Sequence, residues 1–187
     1  MKTKVLLHGG FAGHINTQND VFFKEILKDV SNTTKVLLVL FAKSADKVSV
    51  NRDEDIAQFE RNKGDKTISY QLADEESFVE QVKTSDAIYF HGGDTLKLLD
   101  TLKKFGDLKE LFRGKIIAGE SAGAYVLSKY FHSERAGGVF EGLGIVPVKT
   151  ICHYTEKSKD REDLLKECSP ELETLLLPDY SYRVFSY

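Results

Sequence analysis

Ser121 stands at the centre of Gly119-Glu120-Ser121-Ala122-Gly123, a G-x-S-x-G spacing that can present a serine as a nucleophile. The apolar run Ile116-Ile117-Ala118 leads into it and a helix-like pattern follows, so the expected context is strand, sharp turn, helix. Such a turn forces the serine into a strained backbone conformation with its hydroxyl exposed. Small flanking residues are required because larger side chains would collide with the neighbouring strand or the helix. The Ala122 amide then lies at a helix N-terminus, where a developing oxyanion is favoured. The competing reading is a glycine-rich strand-to-helix turn that buries its serine.

A serine hydroxyl is a poor nucleophile near neutral pH and needs a general base within hydrogen-bond reach. The chain holds five histidines. His8 and His91 end expected strands, His14 lies in a glycine-containing loop, and His132 follows the elbow helix. His153 comes after the run GIVPVKTIC, downstream of the serine, in the Ser-then-His order common to α/β hydrolases. Position favours His153, with a structural histidine as the alternative. A second oxyanion donor would come from another loop. In His91-Gly92-Gly93-Asp94-Thr95 the Gly93 amide is the candidate, since glycine lets backbone approach a substrate closely. The same segment also reads as a tight turn with Asp94 or Thr95 capping the next helix. Cys152 adjoins His153, but neighbours on a strand point to opposite faces, which argues against their acting together.

These residues need a scaffold, and the hydrophobic pattern supplies one. Continuous apolar runs at 4–10, 35–42, 67–72, 87–93 and up to the elbow alternate with helical spacing at 17–30, 51–63, 74–84 and 94–112, the last broken near Gly106. Strands of this kind separated by amphipathic helices imply an α/β fold: a three-layer, doubly wound, mostly parallel sheet covered on both faces. Beyond residue 131 the pattern is less regular, with a strand at 143–152, a helix at 159–168, and a terminal pair of strands in LLLP and YRVFSY. Both HGG sequences fall at C-terminal strand ends, where open α/β sheets carry their sites. One domain spanning 1–187 is expected.

Composition narrows the function. The net charge of −3, from 26 basic and 29 acidic residues without a basic block, offers nucleic acid no footprint. No run approaches the roughly 20 apolar residues of a membrane span, and the N-terminus lacks the pattern of a signal peptide. Two cysteines, Cys152 and Cys168, make no disulfide framework and read as reduced thiols of a cytosolic protein. The histidines and cysteines lack metal-ligand spacing, and the glycine pairs form no nucleotide-binding motif, so no metal or cofactor is expected.

HGGDTLKLL, GESAGAYVL, GLGIVPVKTICHYTE and LLLPDYSYRVF, in this order, resemble the peptidase E family of S51 serine peptidases. The resemblance implies a class I glutamine-amidotransferase-like (flavodoxin-like) fold. It also implies a cytoplasmic, metal-independent dipeptidase or aminopeptidase, monomeric or homodimeric, that removes N-terminal aspartate from short peptides. By the same resemblance Ser121 and His153 are catalytic, and Gly92 and Gly93 belong to the oxyanion loop. The family's acid is typically an aspartate between nucleophile and histidine. That segment here holds only Glu134 and Glu141, so a Ser-His-Glu triad with Glu134 is expected, with Glu141 or Glu120 as alternatives. Arg161 resembles the arginine that would hold the substrate's acidic side chain, through the paired hydrogen bonds a guanidinium offers a carboxylate. Competing readings are a related acyl hydrolase, cyanophycinase-like or an esterase, and a catalytically silent homologue that binds an acidic ligand.

Overall fold

A computed structural model describes residues 2–187. The first two thirds alternate strand and helix: β1 (Lys4–His8), α1 (Thr17–Leu27), β2 (Thr33–Val39), α2 (Ala45–Asn62), β3 (Thr67–Leu72), α3 (Phe78–Lys83), β4 (Ala87–Phe90), α4 (Thr95–Leu102), α5 (Leu108–Leu111), β5 (Ile116–Glu120) and the elbow helix α6 (Ala122–Leu127). There follow β6 (Ser128–Ser133), β7 (Gly138–Glu141), β8 (Val146–Cys152), α7 (Lys159–Glu167), β9 (Glu173–Leu177) and β10 (Tyr182–Ser186).

Six strands form a sheet in the order β10-β1-β5-β4-β2-β3, parallel except for β10. Strands β1, β4 and β5 are buried along their whole length because helices cover both faces, which is why they read as unbroken apolar runs. Alternation along the strand divides the core. Val5, Leu7, Ile88 and Phe90 face one apolar cluster with Phe78 and Leu98, whereas Leu6, Leu38 and Tyr89 face another with Phe22, Phe23 and Phe59. The fold is α/β, with mostly parallel strands and helices on both sides, as the hydrophobic pattern implied.

The last third departs from expectation. A second sheet, ordered β7-β6-β8-β9, follows the elbow helix, and β6 and β7 fall where the pattern was irregular. The C-terminal strands do not pair with each other: β9 runs parallel to β8, and β10 closes the first sheet antiparallel to β1. Helix α2 also begins six residues earlier than its apolar periodicity suggests, because its first turns are mostly exposed and carry no core-facing stripe. Among the described residues, no helix is long and apolar enough to cross a membrane.

The glycine loop after β1 fastens the two sheets together. Gly9 donates its N–H to the Ser181 carbonyl (2.8 Å), His153 donates to the Gly9 carbonyl (3.0 Å), and Tyr180 donates to the Gly10 carbonyl (3.2 Å). The loops that follow β1, β8 and β9 are thereby brought to one edge, beside the turn between β5 and α6.

Candidate active site

The turn at Ser121 is a strained elbow. Ser121 has φ 47° and ψ −105°, its N–H donates to the His8 carbonyl (2.9 Å), and its carbonyl accepts from Tyr125 (2.9 Å). The flanking glycines are steric necessities. A Cβ on Gly119 would lie 2.5 Å from the Gly123 carbonyl carbon, and one on Gly123 would lie 2.4 Å from the Phe90 oxygen. Helix α6 can therefore sit directly on β4 and aim the serine out of the sheet edge.

Ser121 Oγ donates to His153 Nε2 at 2.9 Å, and His153 Nδ1 donates to Asp179 Oδ1 at 2.6 Å. This is a serine–imidazole–carboxylate chain, with each ring nitrogen bonded to one partner. Of the five non-glycine residues with positive φ among those described, four are here: Phe11, Ser121, His153 and Tyr180. Backbone strain of this kind costs on the order of 1–3 kcal/mol per residue and persists where surrounding contacts enforce it. Phe11 packs edge-on against the His153 ring, with centroids 5.3 Å apart.

The expected acid is not the one that meets the histidine. Glu134 lies on the exposed turn between β6 and β7, where its carboxylate accepts from Arg161 at 3.0 Å. Glu141 pairs with Lys129 on the surface. Arg161 is held between Glu134 and Ser158 and does not line the cavity at Ser121. The sequence order misled because the acid follows the histidine in this chain. Asp179 lies just beyond β9, and β9 is brought alongside β8 only by the sheet pairing. A signal was present: an aspartate two residues past a strand's C-terminal end, after Leu177-Pro178, in a fold whose chemistry gathers at those ends.

Glu120, beside the nucleophile, points away from His153 and joins two loops. Its carboxylate accepts from the Ala12 amide (2.8 Å) and the Gly92 amide (3.1 Å), and His91 Nε2 lies 3.6 Å from it. Burial opposes its charge, yet the His91 imidazole and the two amides prevail and hold its carboxyl below the usual range. His91 Nδ1 contacts both oxygens of Asp55, a fully buried residue of α2, at 2.9 Å. Burial works against an imidazolium at His91, but Asp55 and Glu120 on either side win and raise its pKa. His91 and Glu120 are thus committed to structure. So is His8, which burial pushes down to about 4. Neutral His8 accepts the Gly10 N–H at Nδ1 (3.1 Å), which leaves Nε2 to donate to Asn19 Oδ1 (3.1 Å). Asn19 in turn donates to the carbonyls of Phe11, Ala12 and His14 and shapes the loop over the site.

A cavity of about 230 Å³ opens at Ser121 and His153 and includes Gly92, Gly93, Lys43 and Glu54 in its lining. Since Glu120 occupies the Gly92 amide, Gly93, with φ 148°, is the loop glycine left facing the cavity. Asp94 caps α4 by accepting from the Lys97 amide (3.1 Å), so the capping role of this segment holds beside any role toward a ligand. Cys152 is buried beneath the elbow. Burial, together with the negative charges of Glu120 and Asp179, pushes its thiol well up, which disfavours a thiolate. Among the described residues no group of three or more His, Cys, Asp or Glu side chains could hold a metal ion.

Residues 5–178 match the family model described as Peptidase family S51. Among solved structures, one similar chain is a peptidase from an acI-B1 Actinobacterium, 27% identical with a TM-score of 0.71; the alignment covers 100% of this chain and 84% of that one. Another is described as a "Putative Peptidase E Protein" from Listeria monocytogenes EGD-e, 19% identical with a TM-score of 0.68, covering 100% of this chain and 98% of that one; at this identity the likeness speaks for the fold. Among curated proteins, none matches the chain.

Proposed function

The chain belongs to peptidase family S51, and from that we propose that it is a cytoplasmic serine peptidase acting on dipeptides or short peptides with N-terminal aspartate, through Ser121, His153 and Asp179. The observation that carries this reading is the unbroken hydrogen-bond chain from Ser121 Oγ through His153 to Asp179. A silent homologue would be favoured by a histidine without an acid; the Asp179 carboxylate at 2.6 Å from His153 Nδ1 supports the active reading instead.

The reaction is acyl transfer. His153 Nε2 takes the Ser121 proton as Oγ attacks the scissile carbonyl. Asp179 keeps the other ring proton on Nδ1 and stabilises the imidazolium that forms. The oxyanion is received by the amides of Ala122 and Gly93, each such donor contributing about 3 kcal/mol. His153 then protonates the departing amine, and water, activated by the same imidazole, releases the acyl group from Ser121.

Hydrolysis of Asp-Leu, Ala-Leu and Glu-Leu by wild type and Ser121→Ala tests the reading. Serine-dependent cleavage confined to Asp-Leu is expected. A well-folded wild type that cleaves none of the three, or a Ser121→Ala variant that keeps full activity, would overturn it.

A further inference from the structure

With Arg161 tied to Glu134 and away from the cavity, the preference for an acidic residue needs another cation. Of the charged side chains lining the cavity, His91 and Glu120 are bound to one another and to Asp55 or loop amides. Two remain. Lys43, on the loop between β2 and α2, makes no ion pair among the described residues. Its backbone is fixed by the Lys43 N–H donating to the Leu40 carbonyl (2.9 Å) and by Lys97 Nζ donating to the Lys43 carbonyl (2.6 Å). Glu54, on α2, likewise has no cationic partner among the described residues, and its carboxylate accepts only from Asn51 Nδ2 at 2.8 Å. Asn51 Oδ1 lines the same wall, buried and without a hydrogen-bond partner.

The cavity at Ser121 has a mixed aromatic and charged lining. His153, which must protonate the leaving amine, is flanked by Phe11, with His14 and Tyr180 nearby, and Phe11 and His14 share the lining with Lys43, Asn51 and Glu54. An acyl residue held against Ser121 in this cavity meets Lys43, Asn51 and Glu54 in its lining. At about 230 Å³ this space falls below the roughly 300–1,000 Å³ of sites for drug-sized molecules and suits a single residue. One free cation and one free carboxylate in a one-residue pocket match a residue that carries both an ammonium and a carboxylate.

We propose that Lys43 and Glu54 form the acyl-residue subsite: Glu54 takes the α-ammonium of an unblocked N-terminal residue, and Lys43 takes the carboxylate of its side chain. The inference rests on the peptidase reading and deepens it. It explains at once a demand for an acidic residue and for a free N-terminus, that is, exopeptidase action, without Arg161.

The test compares kcat/KM for Asp-Leu, Asn-Leu and N-acetyl-Asp-Leu in wild type, Lys43→Met, Glu54→Gln and Arg161→Ala, with calorimetric binding of Asp-Leu to Ser121→Ala alone and combined with each of the first two changes. Loss of a charge-assisted contact predicts a drop of about ten- to a hundredfold on Asp-Leu for Lys43→Met, with Asn-Leu nearly unchanged. Glu54→Gln should slow Asp-Leu and Asn-Leu alike by about tenfold and should not slow the N-acetylated peptide. Arg161→Ala should keep the wild-type Asp/Asn ratio. Serine-dependent cleavage with that ratio intact in Lys43→Met, or with Glu54→Gln at full rate, overturns the subsite while leaving the peptidase reading standing. Charge-dependent binding to Ser121→Ala without hydrolysis by wild type does the reverse. Absence of both binding and hydrolysis overturns both.

Discussion

Replacing Asp179 separates the three-residue chain from every alternative acid. Its bond to His153 Nδ1 is short, 2.6 Å, but the two side chains remain 36% and 40% exposed, so water can partly replace what is removed. In Asp179→Ala the loss is one charge-assisted hydrogen bond, about 1.5–3 kcal/mol, or roughly ten- to a hundred-and-fifty-fold in kcat, with solvent holding the effect toward the lower end. Asp179→Asn should be worse despite its closer shape. An asparagine amide can donate to Nδ1, which drives the ring proton onto Nε2 and leaves nothing there to accept the Ser121 proton. A change of this kind in a Ser-His-Asp triad costs about 10⁴ in kcat. The assay is initial-rate hydrolysis of Asp-Leu, with the rate of Ser121 labelling by a fluorophosphonate as a measure independent of the peptide. Expected are Asn slower than Ala, little change in KM, and Glu134→Ala and Glu141→Ala within about twofold of wild type, as for most surface substitutions. An Asp179→Asn enzyme as fast as wild type, or a Glu134→Ala enzyme as slow as Asp179→Ala, would refute the assignment.

Three further outcomes follow from the packing around the site. His8 is fully buried and its pKa falls from 6.5 to about 4, so the unfolded chain protonates first; its contribution to stability is complete above pH 6.5 and is lost as the pH drops toward 4. The loss amounts to about 3 kcal/mol at 1.36 kcal/mol per unit, and melting curves of wild type against His8→Gln from pH 7 to 4 should show that slope only in wild type. Glu120→Gln turns an amide donor toward the Ala12 or Gly92 N–H, and urea titration should show a loss of about 1.5–3 kcal/mol together with reduced kcat; unchanged stability would contradict the two-loop clamp. Gly123→Ala places a methyl 2.4 Å from the Phe90 carbonyl, so the protein should lose about 3 kcal/mol or more or fail to accumulate in soluble form, and a normal melting temperature would show that α6 does not sit this close.

The elements that were legible in the sequence are those whose pattern is local. Strands buried on both faces leave continuous apolar runs, so β1, β2, β4 and β5 and the helices between them could be read directly, and G-x-S-x-G marked the elbow because steric demands at Gly119 and Gly123 act across five residues. β6 and β7 escaped because half-buried, mixed strands such as Ser128–Ser133 carry no continuous run. The site residues of α2 escaped for a related reason. Asn51, Glu54, Asp55 and Gln58 recur at helical spacing, but a polar stripe on a helix ordinarily faces water, and here Asp55 and Gln58 are buried against the glycine loops.

Ser121 and His153 could therefore be singled out as candidates from the sequence alone, one by a motif whose sterics are local and the other by its place after a strand. The acid, the cation of the cavity and the clamp between the loops were decided only in three dimensions. Asp179 reaches His153 because β9 pairs with β8, whereas Glu134 lies on the exposed turn between β6 and β7, where it pairs with Arg161. Hydrogen bonds between loops 26 to 108 residues apart depend on which strands become neighbours, and that pairing is set by packing over the whole chain rather than by the residues that use it.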